Sequence, residues 1–292
     1  MSSIWRPIRE RNPARSLMVI VAHPGDEAFG FAGAIASAAA EGAYVVVVCA
    51  TRGYFDARIT TKPPAPGGRN RDLLDSLGWR NLDTVREDEM RRSAALLGVR
   101  VLRMLDYAEG DLVSVDFHHL VGRLVEPIRM HQPEVVLTFG PDGVTGDSDH
   151  VTLSRAVGEA VDSAALPLAY EDNMEEDQVA WRIAKLFHLV VPPGALAILG
   201  DLAPRAGYHT PSAGPTVAVP LGELVPLKLA AIQRHVSQTG SDGPFAGWDP
   251  AVRDNWLSAE HYRLAVSNLA VSNLAASQPS AGVGSGLFDG LA

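Results

Sequence analysis

Short apolar runs recur along the first half of the chain, and each is followed by a segment with helical character. The runs, which are typical of parallel strands buried on both faces, lie at residues 17–22, 44–50 and 134–139, and a further short strand is predicted at residues 99–105. The helical segments, which are marked by alanine content, capping residues or an apolar face, lie at residues 26–42, 84–98, 115–131 and 148–163. Thr84, with Glu87 three residues later, predicts a capping box at the start of the second helix. This alternation predicts an α/β fold with a mostly parallel, Rossmann-like sheet flanked by helices.

The pattern becomes looser after residue 167. Strands are predicted at residues 185–191, 195–199 and 216–219, and an amphipathic helix at residues 221–236. Serine, glycine and alanine dominate residues 275–292, which predicts a mobile tail. We therefore expect a single domain over residues 1–292, with its core at about residues 16–240.

A long segment rich in proline and glycine interrupts the alternation at residues 51–83. Its second half carries Arg69, Arg71, Trp79 and Arg80. A long loop after a strand is often functional, and here it could form a lid that selects the substrate. A disordered segment is an equally good interpretation of the same composition.

The composition and net charge of the chain indicate which kinds of partner it is expected to lack. The chain of 292 residues is 47% hydrophobic, which is enough for a buried core, and its formal charge of -9 argues against nucleic acid or an anionic membrane as the main partner. No apolar run approaches the roughly 18 residues of a membrane span, and the first is shorter than a signal-peptide core. We therefore expect a cytoplasmic protein with no membrane span. The single cysteine, Cys49, lies in a predicted strand and is expected to be a buried apolar residue.

Residues able to bind a metal ion occur where two predicted strands give way to helices. His23 and Asp26 follow the first strand, and Asp149 and His150 begin the helix after the fourth. Because the carboxyl ends of parallel strands lie at one edge of a sheet, the two groups can converge there. His23, Asp26 and His150 would then form a His-Asp-His set for a divalent metal ion. The alternative is that the aspartates cap helices and that the histidines are structural.

Two separated motifs resemble those of a known family. Residues 22–27, Ala-His-Pro-Gly-Asp-Glu, resemble the Ala-His-Pro-Asp-Asp-Glu signature of the LmbE-like, or PIG-L, family of zinc-dependent N-deacetylases and amidases. Residues 138–143, Thr-Phe-Gly-Pro-Asp-Gly, followed by Asp149 and His150, resemble the second motif of that family. Residues 51–53 and 86–98 also look like family segments, and residues 235–238 and 260–263 do so more faintly.

The resemblance implies a role for each matched position. His23, Asp26 and His150 fall on the zinc ligands, so the expected cofactor is Zn²⁺, with another divalent metal as an alternative. Gly25 falls on the general base that activates the attacking water, and it has no side chain. Asp147 replaces the histidine that polarises the carbonyl or protonates the leaving amine, whereas Asp149, which orients that histidine in the family, is kept.

The glycine at position 25 puts the activity in question. Losing a positioned general base typically costs on the order of 10²–10⁴ in rate, unless another group replaces it. Asp147 is the best candidate for a relocated base, ahead of Glu27 and Asp149. For Glu27 we favour a different role, as a hydrogen-bond partner of a ligand histidine. Gly25 could reflect an engineered inactivation, a natural protein without catalysis, or a natural enzyme with a relocated base.

Further polar residues are candidates for substrate contacts. Arg52 and Glu109 follow predicted strands and could bind a polar, sugar-like substrate, although a surface salt bridge is an equal alternative. His235, near Gln238, could approach the site from the C-terminal half. The pair His118 and His119 is expected to be solvated, because the apolar face of its helix lies elsewhere.

The resemblance implies a zinc-dependent N-deacetylase or amidase that acts on a small N-acylated sugar or sugar conjugate. The alternative is a metal-containing binding or regulatory protein on the same fold that does not hydrolyse its ligand. A nucleotide-binding domain is disfavoured, because no Gly-x-Gly-x-x-Gly motif follows the first strand. The oligomeric state is left open.

Overall fold

A sheet of seven strands in the order β3-β2-β1-β4-β5-β7-β6 forms the centre of the molecule. The computed structural model describes residues 15–53, 82–170, 178–191, 214–239, 250–269 and 286–291. The strands are β1 (Ser16–Val21), β2 (Tyr44–Thr51), β3 (Val101–Tyr107), β4 (Val135–Phe139), β5 (Lys185–Leu189), β6 (Val217–Pro220) and β7 (Ala259–Ser267). β1 to β5 pair in parallel, and β7 pairs antiparallel with both β5 and β6. The predicted α/β fold with a mostly parallel sheet is confirmed.

Helices follow the parallel strands and flank the sheet. Their bounds are α1 (Asp26–Gly30), α2 (Ala32–Ala40), α3 (Leu82–Leu96), α4 (Phe117–His131), α5 (Gly143–Gly146), α6 (Ser148–Ala164), α7 (Val225–Ile232), α8 (Val236–Thr239) and α9 (Pro250–Trp256). A 3₁₀ turn at Gly222–Leu224 precedes α7. Among the described residues, no helix is both long and apolar enough to cross a membrane.

β1 is the strand that positions the site. All six of its residues are buried, and it pairs with β2 on one side and β4 on the other. The chain passes from β1 to β2 in one direction and later returns to the other side of β1 as β4, so the strand order reverses at β1. A crevice at the carboxyl ends of such strands is where open α/β sheets bind ligands. Cys49 in β2 is completely buried, as expected.

The predicted helix at residues 26–42 is broken in two. Phe31 leaves the helical conformation with φ −132°, is completely buried, and packs against Phe139 and Tyr262. The second helix, α2, has its own N-terminal partner, because the carboxylate of Glu260 accepts hydrogen bonds from the N–H groups of Gly33 and Ala34. Burial of the aromatic ring and this distant cap together favour the break over a continuous helix.

The predicted capping box at Thr84 is wrong. Helix α3 begins at Leu82, so Thr84 already lies within its first turn, and its hydroxyl donates to the carboxylate of Asp83. Glu87 instead accepts hydrogen bonds from Arg91, one turn further along the helix. The strand predicted at residues 195–199 and most of the 51–83 segment lie outside the described residues.

The C-terminal part departs most from the prediction. The predicted helix at residues 221–236 is divided into the 3₁₀ turn, α7 and the start of α8, with a proline in the first turn of α7. β7 lies beyond the expected core limit of residue 240 and joins β5 to β6. Leu287 and Phe288 are buried, and Lys185 Nζ donates to the carbonyls of Leu287 (3.4 Å) and Asp289 (2.5 Å). The predicted mobile tail therefore does not include residues 286–291.

Candidate metal centre and active site

The turn after β1 places two predicted ligands side by side. Asp26 Oδ2 accepts a hydrogen bond from the backbone N–H of His23 at 2.7 Å, and the N–H of Asp26 donates to the His23 carbonyl at 3.2 Å. Gly25 lies between them with φ +109°, a conformation that glycine adopts at no steric cost. The positive φ at Gly25 therefore allows a turn tight enough to bring the two side chains together.

The structure brings His23, Asp26 and His150 into one cluster. His150 Nε2 lies 3.2 Å from His23 Nδ1 and 3.4 Å from Asp26 Oδ2, and the third separation, from His23 Nδ1 to Asp26 Oδ2, is 3.7 Å. Ligands of a tetrahedral zinc site with bonds of about 2.0–2.1 Å are about 3.3–3.4 Å apart. These three groups could therefore hold a metal ion without large movements.

The remaining ring nitrogens are held by partners outside the cluster. His23 Nε2 lies 3.0 Å from Asp149 Oδ2, and His150 Nδ1 lies 3.1 Å from the carbonyl of Gly143. Because these partners accept hydrogen bonds, they favour protons on Nε2 of His23 and Nδ1 of His150, which leaves the facing nitrogens to bind a cation. The ring of His150 also stacks on Phe139, with centroids 3.8 Å apart and an interplanar angle of 6°.

Asp149 is itself fixed by the backbone. It is completely buried, and it accepts hydrogen bonds from the N–H groups of Gly110 at 2.6 Å and Leu112 at 3.0 Å. The loop after β3 thus holds the carboxylate that orients His23. Such carboxylate–histidine pairs are common beside protein metal sites and fix the ring orientation.

The charges in the cluster favour bound cations. Burial by itself lowers the pKa of His23, but the hydrogen bond to Asp149 and the charge of Asp26 outweigh it and raise that pKa to about 9. Burial likewise lowers the pKa of His150, and Asp26 more than offsets this effect, so its pKa is raised. For Asp26, burial raises the pKa, but the two histidines outweigh it and the pKa is lowered. Because the raised pKa values favour protonated rings, metal uptake would release protons from the two histidines.

Asp147 is the N-cap of α6 and lies at the edge of the cluster. Its Oδ1 accepts hydrogen bonds from the backbone N–H groups of Asp149 at 2.8 Å and His150 at 3.1 Å. This cap holds the first turn of α6, and with it His150, in place. The side chain is exposed, and its carboxylate lies within 4.8 Å of ligand atoms of His23 and Asp149.

A side chain from α8 fills the space above Gly25. A Cβ atom at Gly25 would lie only 2.4 Å from Gln238 Oε1. Gln238 is held there because its Nε2 donates to the carbonyl of Pro24 at 2.5 Å. The volume that a side chain at position 25 would enter is therefore occupied by an amide, which cannot act as a base near neutral pH.

Glu27 does not contact a candidate ligand histidine, so the prediction of that role is wrong. It is completely buried, and its Oε2 accepts a hydrogen bond from the N–H of Gly25 at 2.8 Å. Its Oε1 lies 2.6 Å from Nε2 of His235, which is also completely buried. Burial lowers the pKa of His235, but Glu27 outweighs it and the pKa is raised. His235, just before α8, therefore supports the turn that carries His23 and Asp26 through its contact with Glu27, and Gln238 in α8 supports it through Pro24.

The predicted substrate-contact residues are both engaged in ion pairs. Arg52 Nη1 lies 3.4 Å from Glu87 Oε2, and Glu109 pairs with Arg86. Glu109 precedes the Gly110 N–H that binds Asp149, so this pair lies on the His23 side of the cluster. Sequence reasoning did not single out Arg86, which the fold of α3 brings to Glu109.

A second feature that the sequence did not indicate is a cavity of about 390 Å³ next to the cluster. Asp26 and His150 form part of its wall. Its apolar lining comes from α1, the ends of β4 and β5, the residues that follow these strands, and α9. It includes Phe29, Phe139, Val144, Leu189, Val190, Val191 and Trp256. These residues are scattered along the chain, so no local motif could have indicated them.

His118 and His119 are both exposed, as expected, and the suggested lid residues cannot be placed relative to the cluster. His118 stacks on Tyr170, with a hydrogen bond of 2.9 Å between its Nδ1 and the tyrosine hydroxyl, and it is exposed. The residues suggested as a lid, Arg69, Arg71, Trp79 and Arg80, lie outside the described residues.

Fold and cluster together define the class of protein. It is an α/β protein with a His-Asp-His cluster that could bind a metal ion, placed at the carboxyl edge of a mostly parallel sheet. Residues 18–161 match the family described as PIG-L, GlcNAc-PI de-N-acetylase. This match confirms the resemblance to the PIG-L, or LmbE-like, family that the two motifs predicted.

Similar proteins of known structure or function extend the comparison. A 1D-myo-inositol 2-acetamido-2-deoxy-alpha-D-glucopyranoside deacetylase from Geodermatophilus obscurus is 29% identical over 285 residues, which cover 86% of this chain and 92% of that protein. The N,N'-diacetylchitobiose deacetylase from Pyrococcus horikoshii has a TM-score of 0.64 at 22% identity, covering 90% of this chain and 86% of that one. GalB, the 4-carboxy-2-hydroxymuconate hydratase from Pseudomonas putida KT2440, has a TM-score of 0.55 at 17% identity. The match covers 88% of this chain and 98% of GalB. Because the same fold carries both deacetylation and hydration in those proteins, the fold alone does not define the reaction.

Proposed function

We propose that the protein is a zinc-dependent N-deacetylase or amidase that acts on a small N-acylated sugar or sugar conjugate. The observation that carries the proposal is the cluster of His23, Asp26 and His150, whose donor atoms are 3.2 to 3.7 Å apart. The similarity to a deacetylase of an acetamido-sugar conjugate, along most of both chains, supports the same type of reaction and substrate.

His23, Asp26 and His150 would hold the metal ion. Two imidazole nitrogens and one carboxylate oxygen suit Zn²⁺, although other divalent metals accept the same donors. A zinc ion with three protein ligands supplies a Lewis acid for the amide carbonyl and makes water acidic enough to attack near neutral pH. Asp149 and the Gly143 carbonyl act on the ligands themselves, because they hold both rings with one nitrogen facing the centre.

We assign the proton-transfer role to Asp147. Gly25 has no side chain, and the Gln238 amide that fills its space cannot accept a proton at neutral pH. Glu27 is buried against His235, and Asp149 is committed to His23 and two backbone N–H groups. Glu109 is paired with Arg86, so among the described residues Asp147 is the remaining carboxylate close to the cluster, and it is exposed. Because its Oδ1 already accepts two backbone hydrogen bonds and serves as the cap of α6, Asp147 is less free to move a proton than a dedicated base, and we expect the turnover to be slow.

The sugar would lie on the His23 side of the cluster. Arg52, Arg86 and Glu109 offer donors and acceptors to hydroxyl groups there, provided that their ion pairs rearrange. Charged side chains at such an edge bind polar ligands by a few directed hydrogen bonds.

A second candidate function rests on Gln238. An amide packed over Gly25, the position where the resemblance to the family signature implies an aspartate, fits a protein that binds a metal ion and a sugar ligand without hydrolysing it. In that case the metal site and the ligand site are retained, whereas proton transfer is lost.

Hydrolysis of N-acetylglucosamine conjugates by the zinc-loaded protein separates the two candidates. The proposal expects slow release of acetate by the unchanged protein and a further loss of at least tenfold in D147N, with kcat affected more than KM. D162N is the matched control, because Asp162 is an exposed aspartate on the same helix. Equal rates in D147N and the unchanged protein would remove Asp147 from the mechanism.

A gain-of-function variant completes the test. Gly25→Asp alone would bring its Cβ against Gln238, so the variant to use is the double substitution G25D/Q238A. Because an aspartate at φ +109° also strains the turn that carries His23 and Asp26, the zinc content of the variant is measured beside its activity. No hydrolysis by the unchanged protein, together with hydrolysis by G25D/Q238A, would support the binding protein with a disabled site. No hydrolysis by either protein, despite bound zinc, would refute the amidase assignment.

A further inference from the structure

The cavity beside the cluster is apolar where it meets the candidate metal ligands. Phe139 stacks on His150, and Leu189, Val190 and Val191 continue the wall from β5. Phe29, which also lines the cavity, is 38% exposed, which places an aromatic ring at the surface. The lining also includes the polar residues Thr145, Asn255, Ser258 and His261, but its larger part is apolar, so a group that enters from the cluster would contact more carbon than polar atoms.

The buried charged side chains of the cavity already have partners within the fold. Lys228 Nζ lies 2.7 Å from Glu260 Oε1, and both residues are buried. Glu260 also binds the N–H groups at the start of α2 and the hydroxyl of Tyr262. Because Lys228 and Glu260 already form ion pairs and hydrogen bonds within the fold, they have few donors or acceptors left for the hydroxyl groups of a sugar.

The cluster has charged residues on one side and the largely apolar cavity on the other. Asp149, Glu109 and Arg86 lie on the side of His23, and none of them is part of the cavity wall. The cavity wall contains Asp26 and His150 instead. An amide placed at the cluster has an amine side and an acyl side. The sugar amine matches the charged side, and the acyl group matches the cavity.

The volume of the cavity is larger than an acetyl group needs. At about 390 Å³, it lies in the range of about 300–1,000 Å³ typical of sites for whole small-molecule ligands. An acetyl group would insert a single methyl and leave most of the apolar wall without contacts. Each further methylene that becomes buried adds about fourfold in affinity, which corresponds to about 0.8 kcal/mol of transfer free energy.

We propose that this protein prefers amides whose acyl group is an unbranched apolar chain of about four to eight carbons, and that the cavity between Phe139, Leu189 and Trp256 binds this chain. The proposal rests on the proposed amide hydrolysis, and it assigns the acyl specificity of the same site.

A series of N-acylglucosamines with acetyl, butanoyl, hexanoyl and octanoyl groups tests the proposal. For the zinc-loaded protein, kcat/KM should rise at least tenfold from acetyl to hexanoyl. Calorimetric binding of the same compounds to the metal-free protein should show the same order of affinities, and this measurement does not depend on turnover. This comparison uses only the unchanged protein, so it does not depend on whether a variant folds.

Filling the cavity should remove the preference. Ala259 lies in the cavity wall at the start of β7, so A259L should reduce the ratio of hexanoyl to acetyl affinity at least threefold. A218L is the matched control, because Ala218 lies on the neighbouring strand β6 and is not part of the cavity wall. In A218L the ratio should be unchanged.

The outcomes separate this proposal from the proposed function. Hydrolysis of the acetyl compound at a rate equal to or above that of the longer chains would overturn the acyl preference and leave the deacetylase assignment intact. Chain-length-dependent binding without hydrolysis of any compound would support the cavity assignment and refute the amidase. Equal affinities along the series, or an unchanged ratio in A259L, would overturn the assignment of the cavity.

Discussion

At the scale of single residues, the cluster depends on how His23 is held. Its Nε2 contacts Asp149, which is completely buried and accepts two backbone hydrogen bonds from the loop after β3. The charge of Asp149 and its fixed position both favour a His23 ring that presents Nδ1 to the centre of the cluster. Asp149 is therefore a positioning residue for a candidate metal ligand.

The first prediction concerns Asp149→Asn. An asparagine has one acceptor oxygen in place of two, so it cannot serve His23 and both backbone N–H groups at once. We expect D149N to bind zinc about 10- to 100-fold more weakly than the unchanged protein. A competition titration against a chromophoric chelator measures this, with D162N as the control. An affinity for zinc unchanged in D149N would show that Asp149 does not support the site.

The sequence was sufficient to find these residues but not to place their neighbours. His23, Asp26 and His150 could be found because each follows a strand or begins a helix within a recognisable motif. The contact of Gln238 with Pro24 joins residues 214 positions apart, and that of Glu27 with His235 joins residues 208 positions apart. Such contacts depend on where the C-terminal helices pack, and no local pattern predicts that packing.

At the scale of elements, β7 stabilises α2 through one carboxylate. Glu260 accepts hydrogen bonds from the N–H groups of Gly33 and Ala34 and pairs with Lys228, all in a buried environment. The negative charge also complements the positive end of the helix dipole. This cap comes from a strand more than 200 residues away, so it could not be recognised as a capping motif.

The second prediction is that Glu260→Ala strongly destabilises the protein. Its removal leaves Lys228 as a buried charge without its partner and two helical N–H groups without an acceptor, so we expect a loss of about 3–5 kcal/mol in the free energy of unfolding. Urea unfolding monitored by circular dichroism measures the loss. E223A, at an exposed glutamate, should change the stability little. Replacing both members of the pair in E260A/K228M should cost less than E260A alone, and a larger loss would contradict the assigned cause.

The third prediction is a pH dependence from the end of α4. Burial, with a smaller contribution from the nearby Arg103 charge, lowers the pKa of His131 from 6.5 to about 4. In the unfolded chain His131 takes up a proton near pH 6.5, whereas the folded protein resists this until about pH 4. Its contribution to stability is therefore complete above pH 6.5 and is lost as the pH falls from 6.5 towards 4.

Replacement of His131 isolates this effect from other titrating groups. In H131N the loss of stability between pH 7.5 and pH 5 should be smaller than in the unchanged protein by on the order of 1 kcal/mol. Urea unfolding at the two pH values measures the difference, and H118N, at an exposed histidine, serves as the control. An identical loss in H131N and the unchanged protein would show that His131 does not cause it.

At the scale of the whole molecule, two halves of the sheet differ in how far the sequence predicts them. The strands β1, β2 and β4 are apolar runs that are almost entirely buried, and helices separate the strands β1 to β4, so the parallel order and the switch point at β1 follow from the pattern. β7 mixes buried and exposed residues along its length, including the buried Glu260 and Tyr262. Its pairing with β5 and β6 and the burial of Leu287 and Phe288 are tertiary features that the sequence alone did not indicate.

The central claim is that His23, Asp26 and His150 form a zinc site at the carboxyl edge of this sheet. The most direct measurement is the zinc content of the metal-reconstituted protein after removal of free metal, determined by elemental analysis. The account predicts about one zinc per chain in the unchanged protein and in H118A, since His118 lies at an exposed position stacked on Tyr170. It predicts loss of bound zinc in H150A. No stoichiometric zinc in the unchanged protein, or full retention of zinc in H150A, would contradict the claim.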